Sequence, residues 1–97
     1  MSEGTLQNNA AAVDRREIDA LDVTLLRTML SVMLRIRLFE RRVADLASSG
    51  EIRCPVHLYV GQEAIATAVC MALHADDFVL STHRSHGHYI AKGGDLN

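Results

Sequence analysis

The chain has no tryptophan, two tyrosines and two phenylalanines, so aromatics make up only 4% of its 97 residues. Large rings therefore do little to fill any core, which must be built from Leu, Val, Ile, Ala and Met. Proline occurs once, at Pro55, so breaks in helical structure must come mostly from glycine. Two cysteines, Cys54 and Cys70, stand without a Cys-x-x-Cys spacing, which excludes a disulfide-stapled framework or a thiolate zinc cluster. No basic start followed by an apolar segment opens the chain, which reads against a secretory signal and points to reduced thiols in the cytoplasm. No apolar run approaches the ~20 residues that span a bilayer. The net charge of −2 and pI near 6.2 supply no electrostatic argument for nucleic acid or an anionic membrane.

What is present is ordered. Residues 1–18 are small and polar and read as a flexible N-terminal arm. From Asp22 the run "DVTLLRTMLSVMLRIRLFERRVADLASSG" puts Leu26, Met29, Leu30, Met33, Leu34, Val43 and Leu46 at three- and four-residue steps. This predicts a long amphipathic helix capped by Asp22 and stopped at Gly50. Val32, Ile36 and Leu38 widen its apolar stripe, so it calls for partners on more than one side. Arg35, Arg37, Arg41 and Arg42, interleaved with Glu40 and Asp45, read as a solvated face. Pro55 biases Cys54 toward extended backbone. A turn at Gly61 opens a second helix over 62–74, where Ala64, Ala66, Ala68 and Ala72 allow close backbone approach. "DDFVLST", Asp76 to Thr82, reads as one buried strand, followed by a helix over 85–92 that ends at Gly93-Gly94. A lone strand leaves its backbone groups unpaired and needs neighbours this chain does not supply. The expected fold is therefore α/β: a helical N-terminal segment leading into the first strand of a larger domain.

The segment "STHRSHGHYIAKGG" carries the densest chemistry. His83, His86 and His88 are metal-ligand types, but spacings of three and two residues do not align them on one helical face. No carboxylate or thiolate stands close in sequence unless Asp95 folds back. Arg84 lies just past the expected strand, where α/β sheets bind ligands, and a guanidinium there suits a phosphate or diphosphate. Gly87 would clear the approach. A plain strand–turn–helix junction explains the same residues. His57 sits among apolar residues, which fits a packed core histidine. Its place in a connector also fits proton transfer or substrate orientation. Glu63 is favourably placed at a helix start, beside the positive end of the macrodipole.

Taken in order, "RLFE", "HLYVGQEA" and "DDFVLSTHRSHGHYIAKG" resemble the N-terminal part of the alpha subunit of thiamine-diphosphate-dependent 2-oxo acid dehydrogenases, over about Leu25 to Asn97. "STHRSHGHYIAKGGD" is most similar to the acetoin type. The resemblance implies that residues 19–97 form an incomplete thiamine-diphosphate-binding domain, part of a three-layer α/β/α architecture. It implies a site in which His57 and His86 are catalytic, with His57, His83 and Arg84 binding thiamine diphosphate. It also implies decarboxylation of a 2-oxo acid, or cleavage of acetoin, with transfer of the acyl group to lipoyl. The implied partners are a beta subunit, a lipoyl-bearing acyltransferase and a small-molecule substrate. Pyruvate-type members commonly carry Tyr where this chain has His83, so pyruvate specificity does not follow. The family's Gly-Asp-Gly…Asn segment, which holds magnesium and diphosphate, has no counterpart here; Gly94-Asp95 lacks its spacing. The magnesium ligands are expected downstream, and the chain alone is expected to be inactive and poorly stable. Glu63 is not the glutamate that activates the cofactor, which the beta subunit supplies in two-chain enzymes. The competing expectation is a small noncatalytic helical interaction module whose Leu25–Leu46 stripe pairs with another chain.

Overall fold

The computed structural model describes residues 14–97. The expected flexible arm, 1–18, lies mostly outside that range; its last residues enter helix α1, Arg15–Asp19. The remaining helices are α2 (Val23–Ser48), α3 (Glu63–Ala72) and α4 (His86–Ala91), joined by irregular segments.

Local chemistry sets these boundaries. Asp22 caps α2, its Oδ1 accepting from the Thr24 N–H at 2.9 Å. The helix stops because Gly50 takes φ +82. The Gly50 N–H then donates to the Ala47 carbonyl and the Glu51 N–H to the Leu46 carbonyl, which is a Schellman closure. The same pairing recurs after α4, where Gly93 (φ +96) donates to Ile90 and Gly94 to Tyr89. At the start of α3, Gln62 offers no side-chain cap, and Glu63 takes over that task. Its Oε2 accepts from the Gly61 N–H at 2.9 Å while Oε1 pairs with the Arg37 guanidinium on α2.

Helices α2, α3 and α4 all touch one another, and the core lies at their junction. Ile36, Tyr59, Ala66 and Ile90 form its buried centre, with Val32, Phe39 and Ala91 packed against it. Ile36, expected only to widen the stripe of α2, is the deepest apolar residue of that helix, whereas Leu30, Leu34 and Leu38 are exposed. The seam facing the other helices therefore runs Val32, Ile36, Glu40, Val43, one step round from the expected line. Of the four alanines of α3, only Ala66 is buried.

The expected α/β architecture is not observed. The structure is 56% helix with no strand or sheet among the described residues. Residues 76–82 are irregular, and Phe78 and Leu80 stand 97% and 95% exposed instead of forming a buried strand. The physical reason is the absence of a pairing partner: no other segment among the described residues lies alongside to accept its N–H and C=O groups.

The Arg37–Glu63 pair ties the longest helix to the start of the next. Glu63 is buried, and the guanidinium beside it holds its carboxyl below the usual carboxylate range despite that burial. A lowered native pKa means the stabilisation is complete above the ordinary glutamate range and lost as pH falls through the lowered value. Glu63→Gln is expected to cost about 1–3 kcal/mol near neutral pH. The difference in Tm between the two proteins should shrink as pH falls below the ordinary glutamate range and vanish only below the lowered native value, where Glu63 is protonated in both folded and unfolded chains.

Candidate functional site

Four of the five histidines gather near the junction of the helices, brought there by two short connections. The connector from Glu51 to Gln62 descends from the end of α2 past Pro55 and delivers His57 and then Tyr59. The turn before α4 delivers His83 and His86. The His57 and His83 rings meet edge to face with centroids 4.8 Å apart. His86 stands edge to face with Phe39 of α2 at 5.5 Å, and His88 with Tyr59 at 5.4 Å.

His57, His83 and His86 line one cleft of about 310 Å³. Its other walls are Val43 of α2 and the connector residues Ile52, Cys54, Pro55 and Val56. The lining is thus mostly apolar, with three imidazoles as its main polar groups. A larger hollow of about 660 Å³ lies between α4 and residues 75–81, and His86 borders it as well. Arg84 is exposed, lines neither hollow and has no ion pair or side-chain hydrogen bond among the described residues. The structure therefore brings together His57, His83 and His86 and leaves Arg84 at the surface between two of them in sequence.

Gly87 anchors this arrangement. A Cβ at position 87 would sit 2.3 Å from Tyr59 Cδ1, inside the face of a ring that is only 3% exposed. The absent side chain is what lets α4 rest on Tyr59. The clearance serves the packing of the two histidine-bearing segments, whereas the sequence had suggested clearance for a ligand. Burial also pushes the Tyr59 phenol up from its ordinary pKa.

One residue of the site was not anticipated. Glu40 is fully buried, and its Oε1 lies 3.0 Å from His86 Nδ1. Its Oε2 has no partner. The available signal was its spacing, four residues after Ile36 and three before Val43, which puts a carboxylate on the seam that faces the core. Among the described residues no group of three or more His, Cys, Asp or Glu side chains is disposed to hold a metal ion.

At this all-helical junction three imidazoles border one partly apolar cleft. Comparison with known proteins supplies the chain's family. A family model described as "Dehydrogenase E1 component" matches residues 31–97, and the chain belongs to that family. It is 52% identical over 69 residues to the alpha subunit of acetoin:2,6-dichlorophenolindophenol oxidoreductase of Bacillus subtilis, a match spanning 71% of this chain and 21% of that protein. It is 44% identical over 75 residues to the Cupriavidus necator protein of the same name, covering 77% of this chain and 22% of that one. It is 43% identical over 61 residues to the pyruvate dehydrogenase E1 component alpha subunit of Rhizobium meliloti, covering 63% and 18% respectively. The chain thus spans about a fifth of the length of these relatives. No solved structure matches it.

Gly87→Ala is expected to destabilise the junction by about 1–3 kcal/mol through overpacking. In a Tyr59→Ala background the same change should cost markedly less, because the clash is with that ring. Thermal unfolding of the four proteins measures the coupling, and equal costs in both backgrounds would remove Tyr59 as the cause.

Proposed function

We propose that this chain belongs to the alpha subunit of a thiamine-diphosphate-dependent dehydrogenase that decarboxylates a 2-oxo acid or cleaves acetoin. In this reading the subunit works with a beta subunit, and the acyl fragment passes to the lipoyl group of an acyltransferase. The carrying observation is the convergence of His57, His83 and His86 on one cleft. These three residues come from the two motifs that are most similar to the family, and they stand 26 and 29 positions apart from His57 in sequence. The names of the relatives in Bacillus subtilis and Cupriavidus necator, together with His83, favour acetoin over pyruvate as substrate.

The residues present suit part of the cofactor. The apolar lining offers a surface for a heterocycle, and the imidazoles offer donors and acceptors beside it. Arg84, exposed two residues before His86 and without an ion pair among the described residues, is available to a diphosphate. No carboxylate lines the cleft, so the residues that would hold magnesium are sought outside it. When bound, thiamine diphosphate would supply the nucleophilic carbon and the electron sink that this chemistry needs. Within that scheme His57 and His86 orient the substrate and move a proton at an imidazole nitrogen. His83 packs edge-on to His57 and limits the positions that ring can take. With the magnesium ligands absent from the cleft, the 97-residue chain alone is expected to show no turnover.

The alternative, a noncatalytic helical interaction module, draws on the exposed stripe Leu30, Leu34 and Leu38 of α2. A subunit interface explains the same stripe, and the module reading leaves the three imidazoles without a task.

The test is calorimetric titration of thiamine diphosphate and magnesium into the complete alpha subunit assembled with its beta subunit. Arg84→Ala should weaken binding about ten-fold or more, the worth of a charge-assisted hydrogen bond to an anion. His57→Ala should reduce turnover more than it reduces cofactor affinity. Unchanged affinity in Arg84→Ala would remove the diphosphate role, and unchanged turnover in His57→Ala the catalytic one.

A further inference from the structure

A carboxylate with no exposed surface is an expensive thing to bury unless its oxygens are paired. Glu40 is 0% exposed, and its sole side-chain partner among the described residues is His86 Nδ1 at 3.0 Å, with Oε2 unpartnered. Its neighbours on the seam, Ile36 and Val43, are apolar. Stability alone favours an apolar residue at this position, since exchanging a buried ionic group for well-packed hydrophobic side chains is often neutral or stabilising. The carboxylate therefore has a use beyond packing, and its one hydrogen-bonding partner among the described residues is a ring that lines the cleft.

An ionised carboxylate only accepts hydrogen bonds, so the nitrogen facing it must carry the proton. We infer that Glu40 is a positioning residue that holds His86 as the Nδ1–H tautomer, leaving Nε2 as an unprotonated hydrogen-bond acceptor presented to the cleft shared with His57 and His83. Geometry supports the second half of the statement. Nδ1 faces a fully buried group, whereas the His86 side chain is 38% exposed and borders the cleft, so the accessible part of the ring lies away from Nδ1. Phe39, packed edge to face at 5.5 Å, restrains rotation of the ring away from this pose. The ligand group that such an atom recognises is an N–H or O–H donor. The hydroxyl of an α-hydroxy ketone and an amino group on a heterocycle both belong to that class. This inference rests on the reading of the cleft as a ligand site, but the tautomer exists without any ligand bound.

Long-range proton–nitrogen NMR on the chain labelled with 15N-histidine, recorded over a pH series, reads the tautomer directly from the spectra that show the ring neutral. The His86 signals are those missing from the spectrum of a His86→Gln variant. The expected result is a protonated Nδ1 and a bare Nε2 at His86 in the unaltered chain. Glu40→Leu removes the acceptor and should return the ring to the Nε2–H form that free histidine favours. Glu40→Gln keeps a side-chain oxygen in place and should retain the Nδ1–H form. An Nε2–H ring in the unaltered chain would overturn the inference outright, since the proton would then sit on Glu40 or the contact would be broken. An Nδ1–H ring that persists in Glu40→Leu would also overturn it, because the tautomer would owe nothing to the carboxylate. No cofactor is present in these samples, so failure of the proposed enzyme activity would leave the result standing, and the reverse holds too.

Discussion

The contact between the Tyr59 ring and the bare backbone of Gly87 decides how the two histidine-bearing segments meet. Tyr59 ends the connector that carries His57, and Gly87 lies in the first turn of α4, directly after His86. With a Cβ at position 87 falling 2.3 Å from the ring, α4 can seat only if that position has no side chain. Once seated, Ile90 reaches Ile36 and Ala66, and the core closes. The edge-on contact of His57 with His83 follows from the same seating, because both segments are then held at a fixed separation.

Helix α2 is the platform on which this closure happens, and it holds its neighbours by charge as well as by packing. Arg37 reaches Glu63 at the head of α3, and Glu40 reaches His86 at the head of α4. The two side chains are three residues apart, about one helical turn, so a single stretch of α2 sets the position of both following helices. The two contacts differ in kind. Arg37 is partly exposed and its pair with Glu63 also satisfies the open start of α3, which is a structural role. Glu40 has no exposure and one partner, and the interaction it makes ends on a ring in the cleft.

Much of this was legible in the sequence where the signal is local. The Asp22 cap, the glycine stops and the long helix follow from side-chain chemistry within a few residues, and they stand as expected. The two motifs that carry His57, His83 and His86 were legible as part of an ordered resemblance. What failed was non-local. Residues 76–82 have the composition of a strand, but composition does not provide the neighbouring backbone that a strand requires. Ile36 and Glu40 were misjudged because periodicity over a helix that is apolar on more than one face does not say which face meets the rest of the chain. Arg37 and Glu40 share a charged run with exposed arginines, and only the approach of α3 and α4 separates the paired residues from the solvated ones.

The surfaces that remain uncovered follow a pattern consistent with the proposed assembly. Leu30, Leu34 and Leu38 repeat every four residues along α2, turned away from the seam that packs on α3 and α4. Phe78 and Leu80 point out of the segment that borders the larger hollow. Exposed apolar area of this kind costs roughly 25 cal/mol for each Å² left in water, a cost that the subunit interface of the proposed assembly would remove. The two sets of residues lie on elements that also form the histidine cleft: α2 supplies Val43, and the segment after α3 leads into His83. Covering either set would therefore restrain the walls of the cleft, and association would order the site through the same contacts that bury the leucines.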